Sequence, residues 1–206
     1  DTVMNLLLSS PLVFFLSSVG SLLVIVIVTA VSARWIDRRR FTDYGLNISL
    51  NWWGDLAFGL LLGAVLISGI FLFERQAGWL RITGYMQSPN NLAFLPAFLM
   101  MLLSFLAVGI YEELLVRGYQ MRNIAEGLHT EKVSKFTALI LSYILTSAWF
   151  SLLHLFNPNT SLASVINLVV SGFFLGLGMV LTGRLALPIG LHITWNFFQG
   201  TIFGFP

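Results

Sequence analysis

Apolar runs of about 20 residues recur six times in this chain, at roughly 11–33, 54–73, 92–116, 136–156, 162–182 and 185–204. About 20 mostly apolar residues are what a helix needs to cross the hydrocarbon of a bilayer. Composition leaves no other use for them. The 206 residues are 57% hydrophobic and only 10% charged, against about 25% charged in a soluble domain. So little charge cannot cover a water-facing surface of this size. The chain therefore reads as one all-α polytopic membrane domain over residues 1–206, with about six transmembrane helices around a polar intramembrane cavity and its chemical motifs within 108–200. The first run exceeds 20 residues without a small-residue cleavage site, so it reads as a retained span, not a signal peptide.

The basic residues predict an orientation. With the N-terminus outside, Arg34, Arg38, Arg39, Arg40, Arg117, Arg122, Lys132, Lys135 and Arg184 fall on the cytoplasmic side, and only Arg75 and Arg81 fall outside. That asymmetry follows the positive-inside rule. Residues 35–47 form a charged inner loop and 74–91 an outer loop. Residues 117–135 either prolong the third helix past the membrane or lie along its inner surface. The expected location is an integral, multi-pass one: the plasma membrane of a prokaryote, or the endoplasmic reticulum of a eukaryote. The net charge of +2 comes mostly from positions beside spans, so it implies no nucleic-acid partner. The chain has no cysteine, which excludes disulfides, thiol catalysis and thiolate-bound metal. Gly172 and Gly176 lie four apart, a small-residue face for close helix packing.

Within the apolar runs sit Glu112 and Glu113 with Arg117, then His154, then His192 with Asn196. An ionised group at bilayer depth costs about 3 kcal/mol or more, so such groups usually face a polar interior and serve a function. Adjacent glutamates on a helix point about 100° apart and cannot both aim at one reacting atom. Glu113 and Arg117 are spaced for an intrahelical ion pair, which leaves Glu112 as the freer carboxylate, able to take a proton from water. His192 and Asn196 share a helical face, where they supply either two donors to a developing oxyanion or a histidine oriented by an amide. The blander alternatives are a structural ion pair, a snorkelling arginine and interhelical hydrogen bonds.

Other hydrolytic chemistries lack their residues. The sequence holds neither HExxH nor GxSxG, and its four aspartates (Asp1, Asp37, Asp43, Asp55) lie at or outside span ends. Glutamate-activated water with histidine support remains. No cofactor is favoured, although Glu112, His154 and His192 together make a donor set of the kind that binds hydrolytic zinc. A non-catalytic scaffold or immunity protein that binds a partner in the bilayer is the alternative from another class. A proton-relay transporter is a third reading, but no duplicated halves are evident.

EELLVR (112–117) fits an EExxxR pattern, FSLLH (150–154) fits FxxxH, and HITWN (192–196), preceded by LPIGLH, fits HxxxN. In order and spacing these resemble the CAAX protease and bacteriocin-processing (Abi) family, whose eukaryotic branch includes the type II CAAX prenyl endopeptidase. The resemblance covers about 90–203, with a looser RxxxxxGL match from Arg40 to Leu46. It implies an intramembrane endopeptidase acting on a membrane-associated peptide or protein, a prenylated C-terminus being one substrate class. By motif, Glu112 is the general base and His154 positions or activates the water. His192 and Asn196 form the oxyanion site, and Glu113 and Arg117 orient the base. Members are often labelled metalloproteases, yet the family's structural picture favours a metal-independent glutamate mechanism.

One depth mismatch stands out. Counted from a turn near residue 130, Glu112 and His154 differ in height by about 9 Å on straight helices. A long third helix, a tilt or a bend after 117 has to close that gap.

Overall fold

The computed structural model describes residues 11–88, 92–154 and 161–205. The end of the expected outer loop (89–91) and of the expected fourth span (155–156) lie outside the described residues. The elements are α1 (Pro11–Trp35), a 3-10 turn (Phe41–Tyr44), α2 (Leu50–Gln76), α3 (Phe94–Leu128), α4 (Lys135–Leu153), α5 (Leu162–Thr182) and α6 (Ala186–Phe197). No strand occurs among the described residues. The first five helices are long and apolar enough to cross a membrane. The sixth expected span, 185–204, is shorter as α-helix, and continues from α6 as a π-helix over Phe198–Ile202.

Serines start three of these helices. Ser49, Ser134 and Ser161 each accept a hydrogen bond from a backbone N–H three residues on, at 3.2, 3.1 and 3.2 Å. Such bonds satisfy donors that the first turn leaves unpaired. α5 stops at Gly183, whose φ of 66° is left-handed, the usual way to end a helix.

The burial pattern is inverted relative to a soluble protein. Leu16, Leu23, Phe58, Leu61 and Leu181 are exposed, whereas Ser104, Glu113, Arg117, Ser142, Thr146 and Ser147 are buried. Lipid accounts for the apolar exterior, and the interior carries the polar groups. Without a hydrophobic force between helices, association relies on close packing. α2 and α6 supply it through glycine. A Cβ on Gly59 would lie 2.3 Å from the Leu187 carbonyl oxygen, and one on Gly190 2.5 Å from that of Leu56. Gly172 and Gly176 bring α5 equally close to Ser147 and Tyr143 of α4.

α3 is one 35-residue helix, so residues 117–128 prolong it instead of lying along a surface. At 1.5 Å per residue it is about 52 Å long, well beyond a hydrocarbon core of about 30 Å. Its middle, Leu114–Gln120, is π-helical. Its last turns, Met121–Leu128, are clamped to the 36–46 segment. There Arg39 and Arg122 both pair with Glu126, Asn123 donates to Asp37, and the buried Tyr44 hydroxyl also donates to Asp37. Burial, with the adjacent Asp37 carboxylate, raises the Tyr44 phenol well above its ordinary pKa, so the phenol stays a donor. The Arg39 guanidinium is likewise held more firmly charged by Glu126. Gly45 closes this end of the bundle: its carbonyl accepts from the Trp52 indole at 3.2 Å and from the Leu185 backbone at 3.0 Å.

Arg117 does not snorkel: it is fully buried, held inside the bundle by Glu113 and the Gly172 carbonyl.

Candidate active site

Glu113 and Arg117 face inward from successive turns of α3. Arg117 Nη1 donates to Glu113 Oε1 at 3.0 Å, and Nη2 donates to the Gly172 carbonyl of α5 at 3.0 Å. Both side chains have no exposed surface. The guanidinium carbon stands 4.2 Å from the centre of the Phe150 ring, a favourable cation–π distance. Glycine at 172 also lets α5 pack closely on α4, where a Cβ would lie 2.7 Å from the Ser147 carbonyl oxygen.

The same Glu113 Oε1 lies 2.7 Å from His192 Nδ1 of α6. The other nitrogen of that ring, Nε2, lies 3.8 Å from Glu112 Oε2. The two glutamates, pointing apart on one helix, thus meet opposite edges of one imidazole. His154, at the end of α4, brings its Nε2 to 3.7 Å from the same Glu112 oxygen. Its Nδ1 sits 2.8 Å from the Phe150 carbonyl. A carbonyl can only accept, so Nδ1 carries the proton and Nε2 faces Glu112 with a lone pair in the neutral ring. Phe150 packs between these groups, 4.6 Å from the His154 ring and 6.0 Å from the His192 ring, centre to centre.

The depth mismatch is resolved by the connection. The turn between α3 and α4 spans residues 129–134, not a single point, so Glu112 lies 16 residues from the end of α3 and His154 19 residues from the start of α4. The remaining offset is about 4.5 Å on straight helices, and the side chains bridge it.

Three atoms here are buried without a hydrogen-bond partner among the described residues: Glu112 Oε2, Glu113 Oε2 and Arg117 Nε. A buried carboxylate oxygen with nothing to accept from is costly. Glu112 Oε2 sits between two imidazole nitrogens, each too distant for a direct hydrogen bond and at a spacing that one water molecule spans. No group of three or more metal-ligating side chains among the described residues is arranged to hold a metal ion. Zinc bonds of about 2.0–2.1 Å would set its donors about 3.3 Å apart, closer than these.

Asn196 lies one turn beyond His192, half-buried, and its side chain makes no hydrogen bond among the described residues. It does not orient His192; Glu113 does. Two parts of the arrangement exceed what the residue pattern signalled. The shared use of Glu113 Oε1 by α3 and α6 depends on how those helices pack. So does the Phe150 ring against Arg117, although FxxxH marks the residue.

The family model described as type II CAAX prenyl endopeptidase Rce1-like matches residues 94–198, just over half of the chain and all of the groups described above. No curated protein and no solved structure matches the chain.

Proposed function

The chain belongs to the type II CAAX prenyl endopeptidase Rce1-like family, and from that premise we propose that Glu112, His154, His192 and Asn196 hydrolyse a peptide bond in a membrane-associated substrate with a water molecule held at Glu112. Membership makes the protein a CAAX-type intramembrane protease in general terms. The residue roles and the mechanism are our reading. The observation that carries it is the unpartnered Glu112 Oε2, 3.7 and 3.8 Å from the two imidazole Nε2 atoms.

In this reading a water donates one hydrogen to Glu112 Oε2 and the other to His154 Nε2. Glu112 takes the first proton as the water oxygen attacks the carbonyl carbon. The carbonyl oxygen becomes an oxyanion, which accepts hydrogen bonds from His192 Nε2–H and the Asn196 amide. Glu112 then passes its proton to the leaving nitrogen, the carbon–nitrogen bond breaks, and an acid and an amine leave. For His192 to donate from Nε2 while its Nδ1–H is held by Glu113, the ring must be an imidazolium. Two carboxylates, one guanidinium and one imidazolium then sum to zero charge, the state a low-dielectric interior favours. Glu113 and Arg117 act through His192, as positioning residues.

Because the three donors stand wider than a zinc shell, no step is routed through a metal. A peptide ending in a prenylated Cys-aliphatic-aliphatic-Xaa sequence, the motif that the family name spells, is the first substrate to try. Purified protein in lipid nanodiscs is expected to cleave an internally quenched S-farnesylated peptide of this kind, and Glu112→Gln to lower kcat by roughly 10²–10⁴, the usual worth of a general base. Full activity of that variant overturns the assignment.

A further inference from the structure

A cavity of about 280 Å³ lies between the second half of α3 and α4, lined by Tyr119, Gln120, Asn123, Ile124, Leu145, Thr146 and Trp149. Its walls are largely apolar, and Leu145 and Trp149 are about half exposed on the lipid-facing side. One polar atom of its wall is unaccounted for: Gln120 Oε1 is buried without a hydrogen-bond partner among the described residues. Two neighbouring polar groups already have partners. Asn123 donates to Asp37 and the Thr146 hydroxyl to the Ser142 carbonyl.

We infer that this groove is a substrate subsite that takes one apolar side chain and one backbone N–H, the N–H donating to Gln120 Oε1. The proposal rests on the hydrolytic reading of Glu112 given above. An orphaned acceptor needs a donor, which a peptide backbone offers and a lipid chain does not. A lone buried acceptor facing hydrocarbon is unfavourable, so the groove suits peptide over acyl or prenyl chain. The spacing fixes where on the substrate this occurs. Gln120 lies eight residues along α3 from Glu112, at most about 12 Å along the axis, since the π-helical turns between them rise less per residue. An extended peptide covers that in three to four residues at about 3.3 Å each. The residue read is therefore the third or fourth from the cleaved bond, and its side chain packs on Ile124, Leu145 and Trp149. Neither Gln120 nor this groove belongs to the EExxxR, FxxxH or HxxxN patterns.

The test uses the full chain in nanodiscs with the Glu112→Gln substitution, so binding is read without turnover. Fluorescent S-farnesylated peptides carry a single ester in place of one amide, scanned across the four amides that precede the cleavable bond and the two that follow it. Each ester deletes one N–H. The expected result is a loss of about three- to tenfold in Kd at one position, three or four residues from the cleaved bond, the worth of one hydrogen bond. With Gln120→Leu added, the parent peptide weakens by a similar factor and the ester penalty at that position disappears. Gln120→Glu, which keeps an acceptor, retains the penalty and serves where the leucine variant folds poorly. A flat ester scan, or a penalty unchanged by Gln120→Leu, overturns the subsite. Tighter binding of every farnesylated peptide by Gln120→Leu also overturns it and assigns the groove to a lipid chain. Glu112→Gln protein that still cleaves overturns the hydrolytic reading instead, whatever the scan shows.

Discussion

Replacing Glu113 by Gln separates the two duties of that carboxylate. One oxygen serves Arg117 Nη1 at 3.0 Å and His192 Nδ1 at 2.7 Å. The substitution leaves Arg117, with no exposed surface, as a buried cation held only by the Gly172 carbonyl and the Phe150 ring. Breaking a buried pair from one side costs about 3–5 kcal/mol. It also removes the carboxylate that holds His192 Nδ1 in place. Loss of one oxyanion donor lowers kcat by about 10²–10³. Glu113→Gln is therefore expected to unfold at lower temperature in detergent and to turn over quenched peptide about 10²–10³-fold more slowly. The second substitution that discriminates is Arg117→Met, made in the Glu113→Gln background. Removing the stranded cation should recover most of the lost stability, as replacing a buried pair by apolar groups often does. It cannot recover activity, because His192 still lacks its partner. A double variant that regains both stability and kcat refutes this reasoning and makes the Glu113–Arg117 pair structural only.

Chelators should leave cleavage unchanged; activity lost on chelation and restored by zinc refutes a metal-free site. Phe150→Leu removes the ring that Arg117 and His154 share and should cost about 1–2 kcal/mol of thermal stability, while Phe150→Tyr or Trp retains part of it. Gly190→Leu should cost about 3 kcal/mol or more, since its Cβ alone would lie 2.5 Å from the Leu56 carbonyl oxygen; a variant as stable as wild type refutes the close α2–α6 crossing. Because the folded-state pKa of Tyr44 is raised, the protonated phenol favours folding below the ordinary tyrosine value of about 10. That contribution is lost as the pH climbs from there towards the folded-state value. The melting temperature should fall above about pH 10 more steeply in wild type than in Tyr44→Phe, and parallel curves refute the Asp37–Tyr44 clamp.

Much of this was readable from residue spacing, and the rest was not for identifiable reasons. The apolar runs place the helices within a few residues, because the length that hydrocarbon demands is fixed. Spacings of four place Glu113 against Arg117 and Phe150 against His154, because one helical turn determines both. The burial of Arg117 is not readable, because a snorkelling arginine and one held inside by Glu113 and Gly172 share the same local sequence. The engagement of Glu113 with His192, 79 residues apart, depends on the packing of α3 against α6. The apparent height gap between Glu112 and His154 came from treating the 129–134 turn as a point. Gln120 carries no motif at all, and only the hydrogen bonds its neighbours already make single it out.

The π-helical stretch Leu114–Gln120 has a consequence for how the chain can change. A π turn holds one residue more than the α pattern requires, so it acts as a phase shift between two halves of one rod. The half before it is indexed by the acids facing α4 and α6, and the half after it by the clamp to the 36–46 segment. Deleting one residue from the stretch would restore an unbroken α-helix with both halves facing as they do, whereas a plain α-helical path through all of these residues would rotate one half against the other by about 100°. Either the acids or the clamp would then face the wrong way. The widened turn is what allows one continuous helix to carry the surplus residue and satisfy two registers, and tightening it without removing that residue forces a choice between them.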